Sequence, residues 1–220
     1  TSSVPTLRNL TLRESGYEGL RISNANPMIS NSIIQDIAGT GIQIYSGSPV
    51  IQDVVLQNIG GYGIYAAGYD SYLTLDRLTV TNPTNYGVYI TANNTSGRLV
   101  DSTIANGIYF TSPSTMQITG NTLTNYDAFP TRIGANSVGP FLASNTLQGV
   151  VTGSSRLEIL DEVVTQSVTW PNNGLIHVIF GTVSVYGIAN PVLTIEPGVV
   201  IKFTPDHFNQ RYNGLNVSAG

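Results

Sequence analysis

The chain alternates short apolar stretches with polar turns, and the alternation itself repeats. Pro5, Pro27 and Pro49 stand 22 residues apart, and Ser71 continues the series. Two residues after each of these comes an aliphatic side chain (Leu7, Ile29, Ile51, Leu73), and seven residues after it another (Leu12, Ile34, Leu56, Leu78). Fourteen residues after each proline, a glycine opens a third stretch, at Gly19-Leu20, Gly41-Ile42 and Gly63-Ile64. The fourth unit repeats the step at Gly87-Val88, after two extra residues near Asn82-Pro83. Apolar residues alternate there as Leu20/Ile22, Ile42/Ile44, Ile64/Ala66 and Val88/Ile90. Period-two alternation broken by Asn, Gly or Pro predicts short, half-buried strands.

Later copies drift in length but keep a kernel: LVDSTI, MQITGNTL and LASNTL align with MISNSII, so about seven units cover residues 4–153. Three short strands cannot bury an apolar face alone. Stacking each strand on its counterpart in the preceding unit buries a continuous core and pairs the backbone. The pattern therefore predicts an all-β parallel solenoid of about 22-residue coils. Ile29, Ile34, Ile42, Ile44, Ile51, Leu56, Ile64, Leu73, Leu78, Val88 and Ile90 are expected to point inward. A leucine-rich repeat would need its Leu-x-x-Leu-x-Leu frame, and helical repeats need 33 or more residues with Ala/Leu-rich helices.

The Gly-Ile-x-Ile and Asn-x-Leu kernels resemble those of right-handed parallel β-helix proteins, the pectin-lyase-like superfamily. The resemblance spans roughly two thirds of the chain and implies the fold rather than an activity, because the matching positions are core aliphatics and turn residues.

From Arg156 the 22-residue frame is lost, although the chain stays β-rich, with Val163, Val164, Val168, Ile176, Val178, Val183 and Val185. The stretch NPVLTIEPGVVIKF followed by YNGLNVSAG resembles the opening coils of modular β-helix domains in bacterial surface proteins. Residues 1–155 are thus expected to form the β-helix, and 156–220 to cap it or begin a second module. The chain reads as an internal piece of a longer protein.

Composition narrows the function classes. Charged residues make up 10% of the chain while hydrophobic ones reach 41%, a combination that opposes both intrinsic disorder and a solvated helical bundle. Lys202 is the single lysine, and 13 acids outweigh the bases to give a net charge of −4. Binding to nucleic acid by phosphate neutralisation is not expected from this balance. No run of 18 apolar residues offers a membrane-spanning helix. With 0 cysteines, disulfides, thiolate zinc sites and thiol catalysis are excluded. An acidic, cysteine-free, Thr/Asn/Gly-rich chain suggests an extracellular or cell-surface, bacterial setting.

The superfamily includes polysaccharide lyases, glycosidases and epimerases, so an enzyme is weighed. The Asn-Thr-Asp, Gly-His-Gly and Arg-Ile-Lys motifs of polygalacturonase-like members do not occur; Arg132-Ile133-Gly134 lacks the lysine. Glu14 and Asp36 occupy equivalent positions on neighbouring coils, ~4.8 Å apart by strand spacing, within reach of the ~5–9.5 Å a glycosidase pair needs. Their next equivalent is Asn58, and the favoured reading is a pair of turn residues with charges in water. Asp76, Arg77, Arg98 and Asp101 are expected to form a surface ion-pair set. His177, inside LIHVIF, reads as a strand residue facing out or capped by a neighbour, and His207 also lies in the tail. Histidine and acid spacings suggest no metal site, and no cofactor or catalytic residue is assigned.

One column carries an unusual side-chain set. The residue between the two alternating aliphatics must point outward, and up the stack it is Arg21, Gln43, Tyr65, Tyr89 and Tyr109, with Tyr45, Tyr62 and Tyr86 nearby. The chain holds 12 tyrosines against 6 Phe and 1 Trp, so the aromatic excess sits largely here. Such a stripe either binds a glycan or a surface protein, or is a ladder that stabilises the sheet. The expected function is a non-catalytic stalk, adhesin or glycan-binding scaffold beside neighbouring modules. The alternative is a polysaccharide-active enzyme whose site lies partly outside this chain.

Overall fold

The computed structural model describes residues 4–68, 71–91, 95–204 and 213–218. The chain winds into a parallel β-solenoid of about nine coils. The first coil holds β1 (Thr6–Arg8), β2 (Thr11–Arg13) and β3 (Leu20–Ser23); the second β4 (Met28–Ile37) and β5 (Ile42–Tyr45); the third β6 (Val50–Ile59) and β7 (Ile64–Ala67). The fourth holds β8 (Tyr72–Asp76), β9 (Thr79–Pro83) and β10 (Val88–Ile90). In the fifth are β11 (Ser96–Val100), β12 (Thr103–Ala105) and β13 (Ile108–Phe110), and in the sixth β14 (Gln117–Thr119), β15 (Thr122–Thr124) and β16 (Arg132–Gly134). Helix α1 (Val138–Ser144), β17 (Thr146–Leu147) and β18 (Arg156–Val164) form the seventh. The last two use β19 (Val168–Trp170), β20 (Ile176–Val185), β21 (Leu193–Ile195), β22 (Val200–Phe203) and β23 (Gly214–Val217).

These strands make an 11-stranded first sheet, from β1 to β17, a 10-stranded second sheet running β3-β5-β7-β10-β13-β16-β18-β20-β22 with β23 also paired to β20, and a 2-stranded sheet of β19 and β21. The second sheet crosses Arg156, where the sequence frame is lost: Ile133 pairs with Ile159, and Ile159 with Ile179. All eleven expected core residues are buried, with Ile42, Ile44, Ile51, Leu56, Ile64, Leu73 and Val88 at 0% exposure. Each such isoleucine contributes ~1.5–3 kcal/mol by leaving water.

The repeated glycines are required by packing rather than by left-handed backbone. A Cβ on Gly41 would stand 2.6 Å from the Gly63 carbonyl oxygen, and one on Gly63 2.5 Å from that of Gly87. The coils touch there, so only hydrogen fits. Left-handed corners fall instead on polar side chains: Glu14, Asp36, Asn58, Asn82, Asn106 and Asn125 all have φ between 52° and 61°. Asn and Asp adopt this region at low cost because their short side chains hydrogen-bond locally. Here they bond along the axis, Asn58 Nδ2 donating to Asp36 Oδ1 at 2.9 Å and Asn125 Nδ2 to Asn106 Oδ1 at 2.7 Å.

One kernel departs from the repeat. The LASNTL segment, aligned above with a strand, forms the end of α1 and enters β17 only at Thr146. Pro140 has no N–H to give a ladder, and a Cβ on Gly139 would lie 2.3 Å from the Thr169 carbonyl oxygen. The first sheet accordingly ends at β14 on this limb, where α1 replaces the next strand. No helix among the described residues is long and apolar enough to cross a membrane.

Candidate functional site

The outward column of the second sheet is in strict register. Arg21 pairs with Gln43, Gln43 with Tyr65, Tyr65 with Tyr89, and Tyr89 with Tyr109. It then continues through Arg132, Glu158, Val178 and Lys202. The two-residue insertion of the fourth unit and the short fifth unit are absorbed outside these strands, so the tyrosines stay aligned.

Their rings form a packed stack. Tyr65 and Tyr89 lie 9° from parallel with centroids 5.7 Å apart, and Tyr89 and Tyr109 2° from parallel at 5.0 Å. Tyr62 and Tyr86 brace the stack from the glycine corner, at 4.6 Å from Tyr89 and 4.8 Å from Tyr109. Phe129 meets Tyr86 edge-on at 5.5 Å. Tyr89 therefore has ring neighbours on both faces, and what the stack turns outward is ring edges and hydroxyls. Burial, the largest cause, raises the pKa of Tyr89 and pushes that of Tyr86 up to about 12. Both phenols remain protonated donors at any ordinary pH.

Arginines flank the stack. The Arg132 guanidinium lies 5.2 Å from the Tyr109 ring centre and 4.3 Å from that of Phe180, and its Nη1 donates to the Tyr109 hydroxyl. Arg21 lies over Tyr45 at 4.7 Å. Gln43 stands in register but is 6% exposed, and its Nε2 has no partner among the described residues. Glu158 is buried and accepts from Arg156 Nε at 2.9 Å. Arg132 and Glu158 did not enter the sequence column, although a signal was present: Arg132 precedes the core residue Ile133 as Tyr109 precedes Phe110.

The other candidates serve structure. Glu14 and Asp36 are stacked as expected, with the Glu14 N–H donating to the Asp36 carbonyl at 3.1 Å. The Asp36 carboxylate accepts from Asn58 and Gln35. Arg77 makes a two-pronged contact with Asp53, at 2.7 and 2.9 Å, and reaches Asp76 at 2.8 Å, while Arg98 meets Asp76 at 3.3 Å. The hydrogen bond from Arg77 holds the Asp53 carboxyl below its usual range. Asp53, not Asp101, completes this set: both acids stand at left-handed corners, on the coils before and after Arg77, and the Arg77 side chain turns to Asp53. His177 faces inward rather than out. It sits in register between Leu157 and Ile201, at 0% exposure, with its ring edge-on to Trp170 at 5.7 Å. Neither ring nitrogen has a partner among the described residues, and desolvation lowers its pKa to about 4. His207 lies outside the described residues.

Parallel coils, in-register aliphatic columns and corner ladders coincide with a known repeat family, the right handed beta helix region, which matches residues 1–123. The chain belongs to this family. Membership in the right-handed β-helix family accounts for the coil frame and its handedness. No curated protein matches the chain.

Proposed function

We propose that this β-helix is a non-catalytic scaffold module of an extracellular or cell-surface bacterial protein, stacked beside further modules, and that its tyrosine face holds an extended glycan. The observation carrying this reading is the register Arg21–Gln43–Tyr65–Tyr89–Tyr109–Arg132, one residue per coil along the axis. It supports a partner that is itself extended and periodic. Because the ring faces pack on one another, recognition runs through phenol hydroxyls and the flanking arginine rather than through a sugar laid flat on a ring. A non-catalytic role is supported by how the carboxylates are used. Asp36 is held by an amide ladder, Asp53 and Asp76 by Arg77, and Glu158 by Arg156.

A glycan array probed with wild type and with the Tyr65→Ala/Tyr89→Ala double variant tests the reading. The expected result is a retained glycan signal that the double variant loses while keeping its β-rich circular dichroism. Binding unchanged by the double substitution would overturn the site. Turnover of a polysaccharide would overturn the non-catalytic role, and capture of a protein but no glycan would overturn the ligand class.

A further inference from the structure

Where α1 stands in place of a strand of the first sheet, the surface opens into a groove of about 680 Å3. Strand β14 walls one side, and the turn between β18 and β19 the other. Its apolar surface comes from Pro140 and Ala143, both exposed, and from half-buried Val168 and Pro171, over a floor of Met116, Ile118 and Phe141. Gln117 lines the groove from the β14 wall and Gln166 from the opposite one, both exposed and neither side chain hydrogen-bonded to a described residue. Glu162 is the one charged residue in the lining. Its Oε2 accepts from the Asn136 N–H at 2.8 Å, which fixes the carboxylate, while Oε1 has no hydrogen bond among the described residues.

We propose that this groove binds an uncharged, polyhydroxylated ligand, a short segment of neutral glycan. A primary amide both donates and accepts, and a carboxylate accepts from hydroxyls, so the two glutamines and Glu162 suit a ligand rich in O–H groups. The apolar lining suits the C–H face of a sugar ring. No lysine or arginine lines the groove, so nothing there pairs an anion, and Glu162 repels one in a chain of net charge −4. The volume lies within the ~300–1,000 Å3 usual for small-molecule sites. The groove shares no residue with the tyrosine face, so the two proposals stand or fall separately.

Calorimetric titrations of the whole chain with maltotriose, cellotriose, mannotriose and trigalacturonate test this. The expected outcome is saturable binding of at least one neutral trisaccharide, weakened tenfold or more by Gln117→Ala/Gln166→Ala and unchanged by Tyr65→Ala/Tyr89→Ala. Trigalacturonate should bind more weakly than the neutral ligand, and Glu162→Gln should narrow that gap. Both glutamines are exposed, so circular dichroism of their double variant should match wild type. Absence of binding by all three neutral sugars, tighter binding of trigalacturonate, or insensitivity to the groove substitutions would each overturn the proposal.

Discussion

Tyr89 and Tyr109 stack within 2° of parallel although the unit joining them is irregular in length, 20 residues instead of 22. Irregular length is tolerated because it is absorbed in turns, while the strand positions are fixed by the inward neighbours Val88 and Ile108, both at 0% exposure. A slip of one residue would turn every side chain to the opposite face. The stack is thus a consequence of core register, and its rings then reinforce that register.

The stack makes Tyr89 costly to truncate. Tyr89→Ala removes ring contacts with Tyr62, Tyr65, Tyr86 and Tyr109. At ~0.5–1.5 kcal/mol for each aromatic pair, a loss of about 2 kcal/mol is expected, read as a lower urea midpoint at unchanged m-value. Spectrophotometric titration of wild type at 295 nm should also show a tyrosine ionising near 12, that of Tyr86.

Gly41→Ala should destabilise, against the usual effect of such a change. At ordinary φ, alanine for glycine commonly stabilises through the unfolded chain. Here the new Cβ would meet the Gly63 carbonyl oxygen at 2.6 Å and the Leu56 side chain at 2.6 Å. Overpacking typically costs ~1–3 kcal/mol, and thermal unfolding should show a lower Tm.

Ile42→Asp puts an unpaired carboxylate at a position of 0% exposure, in register between Leu20 and Ile64 of the neighbouring coils. Several kcal/mol of stability should be lost, about the cost of burying an unsatisfied charge. An unchanged Tm would contradict the inward assignment.

His177 predicts an acid-sensitive end of the solenoid. Its folded pKa, about 4, lies below the ordinary 6.5, because burial opposes the charged form. Between these values the unfolded chain binds more protons, so stability is full above pH 6.5 and falls as pH drops through 4. The difference amounts to about 3 kcal/mol. The single tryptophan, Trp170, reports locally because its ring meets His177 at 5.7 Å. Urea midpoints followed by Trp170 fluorescence should fall between pH 7 and 4 in wild type, and much less in His177→Leu.

The first four units state their own packing: prolines 22 residues apart and the Gly-Ile-x-Ile alternation place Ile42, Ile44 and Ile64 inside and Tyr65 outside with no further information. Tertiary contacts decide the rest. Gly41 looks like a turn glycine until the Gly63 carbonyl is seen against it. LASNTL has the strand kernel, yet Pro140 just before it cannot donate to a strand ladder and is tolerated in a helix's first turn, so the segment enters from α1, packed against Thr169. His177 alternates correctly within β20, but whether that face is inner or outer depends on its pairing with Leu157, across a stretch where the frame has lapsed. Arg132 and Glu158 extend the tyrosine column for the same reason: their register is set by the sheet, not by unit length.

Cysteine cross-linking tests the coil register most directly. The chain has 0 cysteines, so an introduced pair is the only one, and paired positions on neighbouring parallel strands, ~4.8 Å apart, fall within the ~4.4–6.8 Å Cα span of a disulfide. Tyr89→Cys/Tyr109→Cys should close quantitatively on mild oxidation, while Tyr89→Cys/Ile108→Cys should stay reduced because position 108 faces the core. Closure of the second pair in preference to the first would contradict the register on which the tyrosine face depends.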